Sequence, residues 1–204
     1  MKFLALGDSY TIGESVPPEE RWPVQLATLL RENGFPIEDP EIIAKTGWTT
    51  DELVEGIIRA TPHPPYALVS LLIGVNNQYR GWSQDTYREE FAELLEQAID
   101  FAGGDPNRVI VLSIPDWGVT PFGAQDPHGR PPAQISAEIA AFNTINRAET
   151  ASLEAHYVDI TPISQKAAQD LSLLASDQLH PSGKMYALWA EEVFPVGLEC
   201  LCAP

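Results

Sequence analysis

Short apolar runs alternate with longer segments of helical period along most of the chain. That pattern predicts strands joined by crossover helices, and therefore a parallel sheet. Residues 2–6 open the series as a strand, and residues 23–33 follow with helical spacing. Pro23 near the first turn and Gly34 just past the last mark the ends of that helix. Glu41 to Ala44 is a short second strand. Thr49-Thr50-Asp51-Glu52 has the capping-box spacing and starts a helix through Arg59. Residues 66–73 (Tyr-Ala-Leu-Val-Ser-Leu-Leu-Ile) are almost continuously apolar, as expected of a central strand covered on both faces. A helix over 84–102 stops at Gly103-Gly104, and Arg108 to Ile114 supplies a fourth strand. Residues 115–132, rich in Pro and Gly, read as a long loop. A helix over 133–153, a short fifth strand from Tyr157 to Ile160 and a last helix from Pro181 to Val193 complete the series. Five strands with crossover helices predict an α/β chain folded as one three-layer α/β/α sandwich over residues 1–204, with no second domain.

Composition narrows the partners. The 204 residues are 44% hydrophobic and 20% charged, close to globular averages. Lys and Arg number 12 against 29 Asp and Glu, a net charge of -17. This excess argues against nucleic acid, where neutralising phosphates supplies much of the affinity. It argues equally against stable association with anionic membranes. No apolar run is long enough to span a bilayer, and the apolar stretch at the N-terminus is too short for a secretory signal. The chain as given therefore reads as cytoplasmic, unless an upstream leader has been removed. Cys200 and Cys202, two positions apart, are poorly placed to pair and too few to make a zinc site. His63, His128 and His156 have no nearby ligand partners in the sequence, and no metalloprotease, phosphate-loop or dinucleotide motif occurs. No cofactor is expected.

In an open α/β sheet, ligands bind beyond the carboxyl ends of the strands. The segments in those places are Gly7-Asp8-Ser9-Tyr10, Thr46-Gly47-Trp48, Gly74-Val75-Asn76-Asn77 and, after the fifth strand and a loop, Asp177-Gln178-Leu179-His180-Pro181. Together they hold a hydroxyl, an imidazole, a carboxylate, amides and glycine-flanked backbone N–H groups, the inventory for acyl transfer. Ser9 is the candidate nucleophile, although a serine after a strand is ordinarily a cap or turn residue. His180 is the candidate base, with Asp177 three residues earlier to fix its tautomer. The same pair reads as the start of the last helix, with Pro181 in its first turn, and both readings can hold together. Ser9, Gly47 and Asn76 are candidate donors to a developing oxyanion. Asn77 carries the same amide, and the chemistry of the loop alone does not choose between 76 and 77.

These residues, in this order, resemble the GDSL-type esterases and lipases of the SGNH-hydrolase superfamily. Each block is short; the ordered set spans nearly the whole chain. The resemblance implies Ser9 as nucleophile and His180 as base, with Asp177 as its partner. It implies an oxyanion hole of the Ser9 and Gly47 N–H groups and the Asn76 side chain, so preferring 76 over 77. It also implies a flavodoxin-like sheet order of 2-1-3-4-5. Tyr10 stands where many members have Leu, and Asn77 where many have Asp, which bears on the shape of the pocket more than on the mechanism. Trp48, Asn77, Tyr79, Trp82 and Trp117 are candidate substrate-binding residues, with Phe122 nearby. The expected activity is metal-independent hydrolysis of a small-molecule ester, short-chain carboxyl esters first and O-acetyl groups on carbohydrates among them. The alternatives are a lysophospholipase or acyl-thioesterase, or an acyl- or glycan-binding protein with weak turnover on the same fold.

Overall fold

The computed structural model describes residues 1–202. In chain order they form β1 (Phe3–Gly7), α1 (Ser9–Ile12), α2 (Trp22–Glu32), β2 (Glu41–Ala44), α3 (Thr50–Ala60), β3 (Leu68–Leu72) and α4 (Val75–Tyr79). Then come α5 (Gln84–Phe101), β4 (Val109–Leu112), α6 (Pro132–Ser152), β5 (His156–Val158), α7 (Thr161–Ser164) and α8 (Gly183–Cys202). The strands make one parallel sheet in the order β2-β1-β3-β4-β5. The sequence explains that order. β1, β3 and β4 are buried throughout, so they need apolar residues toward both faces and take the centre. β2 and β5 carry Glu41 and His156 and lie at the edges. Helix α2 packs on α8, while α5 packs on both α3 and α6, and these groups make the two outer layers.

Register matters most for the site. Gly7 is opposite both Ala44 and Leu72, so β1, β2 and β3 end at one level. The residues that follow, Ser9, Gly47 and Asn76, therefore leave the sheet along one rim. Gly7 has no alternative: a Cβ there would collide with Thr11 Oγ1 and with the Leu72 carbonyl, a backbone atom that cannot yield.

Most element ends agree with the sequence reading within two residues, and the main differences are these. The last helix does not stop at Val193 but runs to Cys202 with Pro195 inside it. A proline costs the helix a hydrogen bond. Here the buried stripe Trp189, Val193, Gly197, Cys200 continues past it against α2, and packing outweighs the lost bond. The fifth strand is His156–Val158 rather than Tyr157 to Ile160. Three helices, α1, α4 and α7, are too short to show a period in the sequence. The long loop folds into 3-10 turns at Trp117–Val119 and Gly123–Gln125. Its entry is fixed by the buried Asp116, whose carboxylate accepts from Gly118 N (3.0 Å), Ser136 Oγ (2.9 Å) and Gln165 Nε2 (3.1 Å). Among the described residues, no helix is long and apolar enough to cross a membrane.

Candidate active site

Ser9 is the first residue of α1, which starts directly after β1. Asp8 caps that helix: its Oδ1 accepts from the Tyr10 N–H at 3.0 Å. The Ser9 N–H is one of the first-turn amides that a helix cannot pair internally, so it is free to act as a donor. Asp8 is fully buried and its Oδ2 has no partner. Burial raises its carboxyl to about 7, against the opposing pull of the backbone N–H groups it accepts.

Asp177 and His180 meet on a loop closed like a small hairpin. Leu174 bridges Pro181, and the Ala175 N–H donates to the His180 carbonyl at 2.8 Å. Gln178 takes a left-handed φ of +60°, which turns the chain back on itself between the two residues. Asp177 Oδ1 then accepts from the backbone of Leu179 (3.0 Å) and His180 (2.9 Å). Its Oδ2 lies 2.7 Å from His180 Nδ1 and accepts from Ser15 Oγ, also at 2.7 Å. Burial opposes ionisation of Asp177, but His180, the two backbone donors and Ser15 outweigh it and hold the carboxyl at about 2. The carboxylate thus satisfies loop N–H groups and grips the imidazole at once. With Nδ1 engaged, Nε2 is the nitrogen left for Ser9. The Tyr10 ring packs against the imidazole, centroids 5.5 Å apart, and backs it from the side of Trp189.

Ser9 and His180 share the wall of a cavity of about 210 Å³, with no direct hydrogen bond between their side chains among the described residues. Gly47 and Asn76 stand on the same wall. Gly47 has φ +88°, a conformation that other residues seldom adopt. Asn76 Nδ2 donates to the Trp48 carbonyl at 2.9 Å, which leaves its second N–H for a ligand. The rest of the wall is mainly apolar: Val75, Tyr79, Trp117, Phe122 and Leu179. Trp117 Nε1 donates to Gln78 Oε1 at 2.9 Å, and Arg130 lies 5.4 Å from the Tyr79 ring centre and 5.3 Å from that of Trp117. Arg130 is itself held by Asp126 at 2.9 Å. The aromatic wall is therefore braced from behind. Among the described residues, no three His, Cys, Asp or Glu side chains gather as a metal ion would require.

Of the predicted residues, the structure brings Ser9, Gly47, Asn76, Tyr79, Trp117 and His180 to this cavity, with Asp177 bonded to His180. It places the other three elsewhere. The Trp48 ring lies over α3, where a Cβ at Gly56 would run into it. Asn77 is fully buried and bonds Thr50, accepting from its N–H at 3.2 Å and donating to its Oγ1 at 2.7 Å. Trp82 lines a separate surface cavity beside Arg130 and Glu138. Sequence reasoning missed Ser15, Thr46, Val75 and Leu179. Thr46, Val75 and Leu179 sit beside already suspected residues, which was a usable signal; Ser15 offered none.

A family model described as "GDSL-like Lipase/Acylhydrolase family" matches residues 5–188. No curated protein matches the chain. Several solved structures do. One is described as TesA, with 18% identity, 96% of this chain and 97% of that chain covered, and a TM-score of 0.74. A second is the psychrotrophic esterase EstA from Pseudoalteromonas sp., in a structure inhibited by monoethylphosphonate, with 16% identity, 99% of both chains covered and a TM-score of 0.73. A third is the acetyl xylan esterase AlAXEase, with 14% identity, 96% and 98% covered, and a TM-score of 0.73. At these identities the likeness is one of fold.

Proposed function

The chain belongs to the GDSL-like lipase/acylhydrolase family, and from that premise we propose that it is a metal-independent serine hydrolase of short-chain carboxyl esters, O-acetyl groups on carbohydrates included. In this reading Ser9 Oγ attacks the ester carbonyl while His180 Nε2 takes its proton. The tetrahedral oxyanion rests on the Ser9 and Gly47 N–H groups and on Asn76 Nδ2. His180 gives the proton to the departing alcohol. Water activated by the same nitrogen then attacks the acyl-Ser9 carbonyl, and the acid leaves with Ser9 restored. Asp177 stays ionised throughout and holds the imidazole.

The observation that carries the reading is the Asp177–His180 pair, 2.7 Å apart, presented to the same cavity as Ser9. The size of that cavity supports the short acyl group. A dry protein cavity of about 150 Å³ admits a benzene molecule. At about 210 Å³, this one has room for an acetyl, butyryl or ring-sized group. Its apolar wall favours the hydrocarbon end of the substrate. One of the fold relatives is an acetyl xylan esterase, which makes acetylated sugars a natural part of the substrate panel.

The test is a series of p-nitrophenyl esters from acetate to palmitate, beside acetylated xylan and acyl-CoA, with and without EDTA. We expect kcat/KM to be greatest at two to six carbons, to fall at least ~10-fold by twelve, and to ignore the chelator. A maximum at long chains would contradict the short-chain reading. Activity lost to EDTA and restored by a metal ion would replace the mechanism.

A further inference from the structure

We propose that Arg80 is a positioning residue for the oxyanion hole, tying the loop that carries Gly47 to the end of α4, the short helix that carries Asn76. The inference rests on the hydrolase reading above. Arg80 caps the C-terminal end of α4, and its side chain reaches from there to the Gly47 loop and to α3. Its Nη2 donates to the Gly47 carbonyl at 2.7 Å. Its backbone N–H makes the closing helical bond of α4, to the Asn76 carbonyl at 2.9 Å, and so seats the side chain at the end of that helix. Its guanidinium also lies 3.1 Å from Glu52 Oε2. Asn76 completes the circuit through its amide on the Trp48 carbonyl at 2.9 Å. Two consecutive carbonyls of the loop after β2, those of Gly47 and Trp48, are thus held by Arg80, at the end of α4, and Asn76, near its start.

Gly47 needs such a clamp. Its positive φ calls for glycine, and glycine is the residue with the most conformational freedom. The side where a Cβ would stand is open, with no atom within 4 Å apart from its chain neighbours. An oxyanion donor accelerates the reaction only if it is aimed before the charge develops. Fixing the Gly47 carbonyl fixes the peptide on one side of the residue, and so narrows the directions its own N–H can take. Glu52 anchors the arginine in turn. It belongs to the capping box of α3, accepting from Thr49 N and from Thr49 Oγ1, each at 3.0 Å. Burial works against its ionisation, but Thr49 and Arg80 together hold its carboxyl below the ordinary range. Arg80 does not line the cavity, so it is placed to act through Gly47 rather than on the substrate.

A half-exposed ion pair contributes little to stability, so Arg80→Ala should fold with nearly the parent Tm. On p-nitrophenyl acetate its kcat should fall ~10-fold with KM changed less than ~2-fold. Arg80→Lys, which keeps a charged donor, should recover part of the loss. Asn76→Ala removes a donor outright and sets the ceiling, a fall in kcat of ~10²–10³. A second arm does not depend on turnover: ¹⁵N relaxation and amide exchange should show the Gly47 N–H loosened in Arg80→Ala, with Leu4 to Leu6 unchanged. A folded Arg80→Ala with parent kcat, with a raised KM in place of a lowered kcat, or with an unaltered Gly47 amide would overturn the proposal. A parent protein that cleaves no ester would defeat the hydrolase reading instead, and the Gly47 amide would still decide the clamp.

Discussion

Ser9→Ala is expected to lower ester turnover by ~10⁴–10⁶ while leaving the fold intact. The size follows from what the hydroxyl does. Without it no acyl-enzyme can form, and the remaining donors and the cavity can only assist direct attack by water. The fold should survive because the Ser9 side chain makes no hydrogen bond in the helix cap, which rests on Asp8 Oδ1 and the Tyr10 N–H. Alanine also suits the first turn of a helix. A fluorophosphonate probe should label the parent protein at Ser9, and the variant not at all. Mass spectrometry placing the adduct on another serine would remove Ser9 from the role.

The second large effect belongs to Asp177→Asn, expected to reduce kcat by ~10⁴. The geometry dictates how the amide must sit. The Oδ1 position accepts two backbone N–H groups, from Leu179 and His180, so the asparagine oxygen is compelled to occupy it. Its NH₂ then faces His180 Nδ1 and Ser15 Oγ, where the carboxylate had accepted. The imidazole must turn Nδ1 into an acceptor and carry its proton on Nε2, pointing a donor at the nucleophile that needs a base. The effect should be in kcat, with the labelling of Ser9 slowed and the far-ultraviolet spectrum unchanged. The pH dependence has a definite sign. The carboxyl of Asp177 is depressed in the fold, to about 2 from 3.8. Its favourable contribution is therefore complete above pH ~4 and is lost only as the pH falls toward 2. Between pH 4 and 8 the acid side of the activity profile must come from another group. A kcat within tenfold of the parent would show that Asp177 does not set the tautomer.

The central strands were legible in the sequence because burial on both faces leaves no choice but apolar residues, as at residues 68–72. The candidate residues were legible for a related reason. Parallel strands in register must deliver the residues after them to one rim, so blocks far apart in the sequence could be read together. Direction was not legible. Asn76 and Asn77 carry identical chemistry, and one faces the cavity while the other is buried on Thr50 because α4 turns them to different sides. Trp48 follows the candidate glycine directly, yet its ring is drawn away to the bare surface at Gly56. Ser15 and Arg80 were invisible because their contacts with Asp177 and with Gly47 and Glu52 span long stretches of sequence that no local pattern connects. Pro195 misled in the other direction: a local rule about proline lost to a buried stripe that continued beyond it.

The burial of Asp8 makes folding a proton-uptake reaction. An unfolded aspartate releases its proton near 3.8, whereas the folded chain keeps this one up to about 7. Between those values the native state binds a proton that the unfolded chain has lost. Its share of the stability is whole below pH ~4 and drains away as the pH rises through 7, by at most ~1.4 kcal/mol per pH unit. Calorimetric unfolding at pH 5.5 should therefore release close to one proton, read as a dependence of the apparent enthalpy on the ionisation heat of the buffer. Asp8→Asn should erase that dependence, and its persistence in the variant would assign the proton elsewhere. A carboxyl adjoining the candidate nucleophile would then tie the durability of the fold to acidity.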